Sequence, residues 1–206
     1  MLITACVCAT ALAADRETIT IVALGDSLTA GFQLEPGSGF PAQLEEALKK
    51  KGHDVAIVDA GVSGDTTAAG LARLDWSVGE EADAVIVELG ANDALRGIDP
   101  AIARDNLEAI VSRLAERGLP VLLAGMLAPP NLGDAYGEAF NTIYPDLSGK
   151  YDTLLYPFFL EGVATKQDLL LSDGLHPNAE GIARIVEQIL PDVEALLQRV
   201  IDKRAG

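Results

Sequence analysis

The strongest constraint on this chain is a recurrence: three short apolar runs are each followed by a polar loop containing glycine. Ile19 to Leu24 runs into Gly25-Asp26-Ser27. Val55 to Val58 precedes Gly61-Val62-Ser63-Gly64-Asp65-Thr66-Thr67, and Ala84 to Leu89 runs into Gly90-Ala91-Asn92-Asp93. The first run is rich in β-branched residues, as a strand buried on both faces requires. Helical signals separate the runs. Pro41 to Lys51 places Phe40, Leu44, Ala47 and Leu48 on one face, with lysines at its negative end and Gly52 as its stop. Thr66 to Leu74 reads as a short helix. Asp99-Pro100 starts a longer one, with Ala103, Leu107, Ile110, Val111 and Leu114 at helical spacing and Arg117-Gly118 closing it.

Pro120 to Gly125 and Thr153 to Tyr156 supply a fourth and a fifth strand, with a helix-plus-loop region between them. Residues 179–202 form an amphipathic helix, interrupted or restarted at Pro191. Strands alternating with helices predict an α/β fold: a three-layer α/β/α sandwich around a five-stranded parallel sheet. In such a sheet the three polar loops share one edge, the carboxyl edge where ligands and catalytic groups collect.

Charge narrows the function classes. Thirty-one acids against fifteen bases give a formal charge of -16. That excludes nucleic-acid binding, which needs a basic face. Residues 1–14 read as a signal peptide or the remainder of a longer one: Leu2 to Ala14 carries no charge, contains Ala11-Leu12-Ala13 near its end, and is too short to span a bilayer. A second reading makes Cys6 part of a lipoprotein cleavage box. Either way residues 15–206 form one domain, and the chain is expected to be periplasmic or secreted, without stable membrane insertion. Both cysteines, Cys6 and Cys8, lie in the leader, so a chain cut after Ala13 has no thiol nucleophile, thiolate metal site or disulfide.

Two readings of Ser27 stand side by side. A serine after a strand most often caps the next helix. At the carboxyl edge of a sheet it is also a candidate nucleophile. That role needs a base and a carboxylate to orient it. The chain has two histidines. His53 follows three lysines and a glycine and reads as a solvated turn residue. His176 lies three residues after Asp173, so one turn can set the carboxylate against one ring nitrogen and leave the other facing out. With so few nitrogen ligands a zinc site is not expected. Trp76 and Tyr156 to Phe159 could line an acyl groove, although core packing is the simpler fate of each.

Four ordered blocks carry a family resemblance: Gly25-Asp26-Ser27-Leu28-Thr29-Ala30-Gly31, Ser63-Gly64-Asp65-Thr66-Thr67, Gly90-Ala91-Asn92-Asp93 and Asp173-Gly174-Leu175-His176-Pro177. They resemble the SGNH (GDSL) hydrolase family over essentially the whole chain after the leader. Ala69 to Leu74 and Phe140 to Pro145 resemble its branch of bacterial periplasmic thioesterases, lysophospholipases and arylesterases. The resemblance implies a flavodoxin-like sheet, with Ser27 as nucleophile, His176 as general base and Asp173 as its orienting partner. It implies an oxyanion hole of the Ser27 and Gly64 N–H groups and the Asn92 amide. No metal and no cofactor are implied. The substrate would be a small acyl ester or thioester, and the protein a monomer.

This is not the Gly-x-Ser-x-Gly nucleophile elbow, because Thr stands at position 29. Asp26 and Asp93 read as turn-formers and hydrogen-bond acceptors. A carbohydrate O-acetyl esterase would use the same residues, and a non-catalytic binding protein is the second alternative.

Overall fold

The structure, a computed structural model, describes residues 18–206. The leader reading of residues 1–14, with Cys6 and Cys8, lies outside the described residues. Five strands form one parallel sheet: β1 (Ile19–Gly25), β2 (Val55–Gly61), β3 (Ala84–Glu88), β4 (Val121–Ala124) and β5 (Leu154–Tyr156). Their spatial order is β2-β1-β3-β4-β5. This is the flavodoxin-like order, with its switch point between β1 and β3.

Register decides what meets at that point. Gly25 pairs with Gly61 on one side and with Glu88 on the other, so all three strands end level. Their following loops therefore begin at the same height. β2 runs three residues further than the apolar pattern shows, because pairing with β1 and not side-chain burial carries its exposed end.

The helices are α1 (Ser27–Ala30), α2 (Phe40–Lys50), α3 (Thr67–Ala72), α4 (Leu74–Ser77), α5 (Ala91–Leu95), α6 (Pro100–Glu116), α7 (Asp134–Asn141), α8 (Ile143–Tyr151) and α9 (Ala179–Ala205). α2 and α9 pack together on one face of the sheet; α3, α6 and α8 group on the other. α6 follows its sequence pattern closely. Asp99 accepts a hydrogen bond from Ala101 N–H, and Ala103, Leu107, Ile110, Val111 and Leu114 are buried. Among the described residues, no helix is long and apolar enough to cross a membrane.

Three expectations are corrected. α9 is one continuous helix of 27 residues with Pro191 inside it. Interior proline costs about 3 kcal/mol. Pro191 sits on the exposed side, however, and the opposite face buries Ile182, Ile185, Val186, Ile189, Val193, Leu196, Leu197 and Val200. At about 1.5–3 kcal/mol per buried aliphatic side chain, that face outweighs one missing backbone bond.

Trp76 is neither core nor groove wall: it is 86% exposed on α4, while Tyr156 and Phe159 do join the core. His53 is not a free turn residue. Its Nε2 lies 3.0 Å from Glu194 Oε1, which ties the α2–β2 turn to α9.

Candidate active site

The β1–α1 turn is built to present one hydroxyl. Asp26 precedes α1 and its Oδ1 accepts the Leu28 N–H at 2.9 Å, which closes the turn and puts Ser27 at the first helical position. The cap falls on Asp26 and not on Ser27, which leaves the Ser27 hydroxyl uncommitted to capping. Gly25 is required here by a close approach. A Cβ on it would lie 2.0 Å from Thr29 Oγ1 and 2.8 Å from Glu88 Oε2.

From the far end of the chain, the loop before α9 brings His176 to this turn. His176 Nε2 lies 2.9 Å from Ser27 Oγ, and Nδ1 lies 2.6 Å from Asp173 Oδ2. A carboxylate can only accept, so Nδ1 carries the proton and Nε2 offers its lone pair to the serine hydroxyl. The ring is fixed further by Phe32, whose centroid lies 4.4 Å away at 37°. Asp173 also shapes its own turn, with Oδ1 accepting N–H from Leu175 at 2.9 Å and His176 at 3.1 Å. Those two backbone donors, with His176, hold its carboxyl down at about 2, so it is ionised throughout the neutral range.

The oxyanion candidates come from all three loops. Ser27 N–H and Gly64 N–H donate to no protein acceptor among the described residues. Gly64 adopts φ +88°, a left-handed conformation that suits glycine. Asn92 is held by both amide hydrogens, one on Asp26 Oδ2 at 2.9 Å and the other on the Asp65 carbonyl at 3.0 Å. An oxyanion would have to share or replace the Asp65 bond. Asp93 points the other way and receives Thr67 N–H and Oγ1–H at 2.8 and 2.7 Å, so it joins the second and third loops as an acceptor.

Several supporting residues escaped the sequence reading. Arg73 donates to Asp65 at 2.6 Å and to the Gly25 carbonyl at 2.8 Å, and so ties the second loop to the end of β1. Arg96 donates to the Gly64 carbonyl at 2.7 Å. Glu88, the last residue of β3, is fully buried behind the nucleophile turn, and its Oε2 accepts Thr29 Oγ1–H at 2.8 Å. Its signal was available: one acid closes an otherwise apolar strand, Ala-Val-Ile-Val-Glu. Nothing local signals the two arginines, because their partners lie on other loops.

Residues 23–184 match the GDSL-like lipase/acylhydrolase family. The chain is 38% identical to "Esterase TesA" of Pseudomonas aeruginosa over 198 residues, 96% of this chain and 98% of that protein. It is 36% identical to "Thioesterase 1/protease 1/lysophospholipase L1" of Escherichia coli K12 over 179 residues, 86% of this chain and 85% of that one. Among solved structures, that of AlinE4, an SGNH-hydrolase family esterase, superposes with a TM-score of 0.74 at 48% identity. It covers 88% of this chain and 97% of its own.

Proposed function

The chain belongs to the GDSL-like lipase/acylhydrolase family, and from that premise we propose that it hydrolyses carboxylic esters and acyl-thioesters through an acyl-enzyme on Ser27. The observation that carries the reading is the unbroken path Asp173 Oδ2–His176 Nδ1 at 2.6 Å, His176 Nε2–Ser27 Oγ at 2.9 Å. In this reading His176 takes the Ser27 proton as Oγ attacks the acyl carbon, and Asp173 stabilises the imidazolium that results. The carbonyl oxygen gains negative charge and is met by Ser27 N–H, Gly64 N–H and the Asn92 amide. His176 then passes its proton to the departing alcohol or thiol. A water activated by the same nitrogen releases the acid and restores Ser27.

An apolar acyl chain suits the surroundings. Exposed Val62, Leu95 and Leu175 sit on the three segments that carry Gly64, Asn92 and His176. Each methylene buried against such side chains contributes about 0.8 kcal/mol, which favours medium to long acyl groups over acetate. Action as a monomer on a small-molecule substrate completes the proposal. Export to the periplasm or beyond is included, and rests on the composition of residues 1–14.

The experiment is labelling with a fluorophosphonate probe, followed by a p-nitrophenyl ester series from acetate to palmitate below micelle-forming concentrations. The proposal expects stoichiometric labelling, its loss in Ser27→Ala, and kcat/KM rising with chain length. A folded Ser27→Ala protein that keeps most of its activity overturns the serine mechanism. A series won by acetate, together with deacetylation of acetylated xylan, replaces the substrate class.

A further inference from the structure

We infer that Glu88 carries a proton in the folded protein and, through the Asp26 carboxylate beside it, fixes the Asn92 amide at the oxyanion position. Glu88 is thus a positioning residue that touches no substrate. The inference rests on the role proposed above for Asn92, and deepens it.

The argument begins with burial. Asp26 and Glu88 are both 0% exposed, Asp26 N–H reaches Glu88 Oε2 at 3.3 Å, and each carboxyl bears directly on the other's charge. Two adjacent buried carboxylates repel in a medium that screens poorly, so such a pair keeps one proton between them. Among the described residues, no cation is bonded to either carboxylate to offset a second charge. Arg73 donates instead to Asp65, Ser77 and the Gly25 carbonyl. The other titratable groups facing the pair are Tyr144, whose phenol donates to the Leu89 carbonyl, and His176 across Ser27; Asp93 lies beyond Asn92.

Donor counting places the proton. Asp26 Oδ1 receives Leu28 N–H and Oδ2 receives the Asn92 amide, as a carboxylate should. Glu88 Oε2 receives Thr29 Oγ1–H at 2.8 Å and Asp26 N–H at 3.3 Å, but its buried Oε1 receives no donor from the described residues. A charged oxygen left without a donor in the interior is costly, whereas a hydroxyl there needs only an acceptor, and Asp26 is one. Burial first, and then the Asp26 charge, push the Glu88 carboxyl well above the ordinary range; burial brings Asp26 to about 6. Glu88 is the member that keeps the proton.

The consequence for the site is directional. A carboxylate at Asp26 grips one Asn92 hydrogen at 2.9 Å and sets the plane of the amide. The second hydrogen, on the Asp65 carbonyl at 3.0 Å, is the one available to a developing oxyanion. Remove the acid behind Asp26 and the grip on Asn92 loosens.

The test combines kinetics with spectroscopy on p-nitrophenyl butyrate and the purified protein. Glu88→Ala is expected to lower kcat about tenfold or more with KM within about twofold, and Glu88→Gln, which still donates to Asp26, to keep kcat within about threefold. In an Asn92→Ala background the same Glu88→Ala change is expected to alter kcat by less than about twofold, because the residue it acts through is gone. The infrared spectrum of the wild-type protein at pH 7 is expected to contain a carboxylic-acid C=O stretch that disappears in Glu88→Gln. Equal losses in both backgrounds, a Gln variant as impaired as Ala, or absence of the band overturns the inference. If Glu88→Ala does not fold, the band and the Gln variant decide. If Asn92→Ala alone leaves kcat unchanged, the oxyanion reading fails separately, while the band still reports the proton.

Discussion

Asp173→Asn separates orientation of the imidazole from construction of the loop that carries it. In the structure Oδ1 of Asp173 accepts two backbone N–H groups, at 2.9 and 3.1 Å, while Oδ2 accepts the imidazole Nδ1–H at 2.6 Å. Asparagine can keep the first pair through its amide oxygen, so the turn survives. Its NH2 then faces Nδ1, donor against donor. The ring relieves this by moving its proton to Nε2, which places an N–H where the lone pair should meet Ser27 Oγ. A wrong tautomer costs a serine hydrolase about 10⁴-fold in kcat, or about 5.4 kcal/mol in the barrier.

The assay is p-nitrophenyl butyrate hydrolysis across pH 5–9, beside the rate of fluorophosphonate labelling and a thermal melt. Burst-phase acylation and labelling should both slow, with Tm close to wild type. Because the Asp173 carboxyl sits at about 2, it is ionised over that whole range, so the wild type keeps its orienting charge at every pH tested. The sign for stability is also set. A carboxyl depressed from 3.8 to about 2 stabilises the fold above the unfolded value, and that contribution is lost as pH falls towards 2. A well-folded Asp173→Asn protein within tenfold of wild type would refute the tautomer argument.

Asn92→Ala should raise the barrier by about 2.7–4 kcal/mol, expressed in kcat, and a pure KM effect would mean that Asn92 binds substrate only. For Glu88, a raised folded pKa means that the unfolded chain loses a proton the folded one keeps. Once Asp26, held at about 6, has itself titrated, above about pH 7, wild-type stability should therefore fall by up to about 1.4 kcal/mol per pH unit, and Glu88→Gln should flatten that slope in urea melts. Pro191→Ala restores an N–H on the exposed face of α9 and should raise stability by about 1–3 kcal/mol; a lower Tm would refute this accounting.

Local pattern alone was enough for most of the fold. β1, β3 and α6 were legible because burial on two faces, or on one helical stripe, writes a period of its own into the sequence. Ser27, Asp173 and His176 stand out by their short blocks after a strand or before a helix, and Gly64 and Asn92 through the resemblance to the SGNH family. Their distances do not, since Ser27 and His176 are 149 residues apart and meet only when β1 and the loop before α9 share one sheet edge. The continuity of α9 is hidden for the same reason: proline speaks locally against a helix, and only the packing beneath it supplies the burial that overrides it.

Trp76 shows the reverse case, a large apolar residue whose position on a four-residue helix leaves it facing water. What the sequence determined by itself was the set of elements and the chemistry each loop could offer. Tertiary structure alone decided that Glu88 ends β3 level with Gly25 and so stands against Asp26 in a dry interior. The protonation of a carboxyl depends on the groups within a few ångströms of it, and those neighbours are chosen by strand register, which no local pattern encodes.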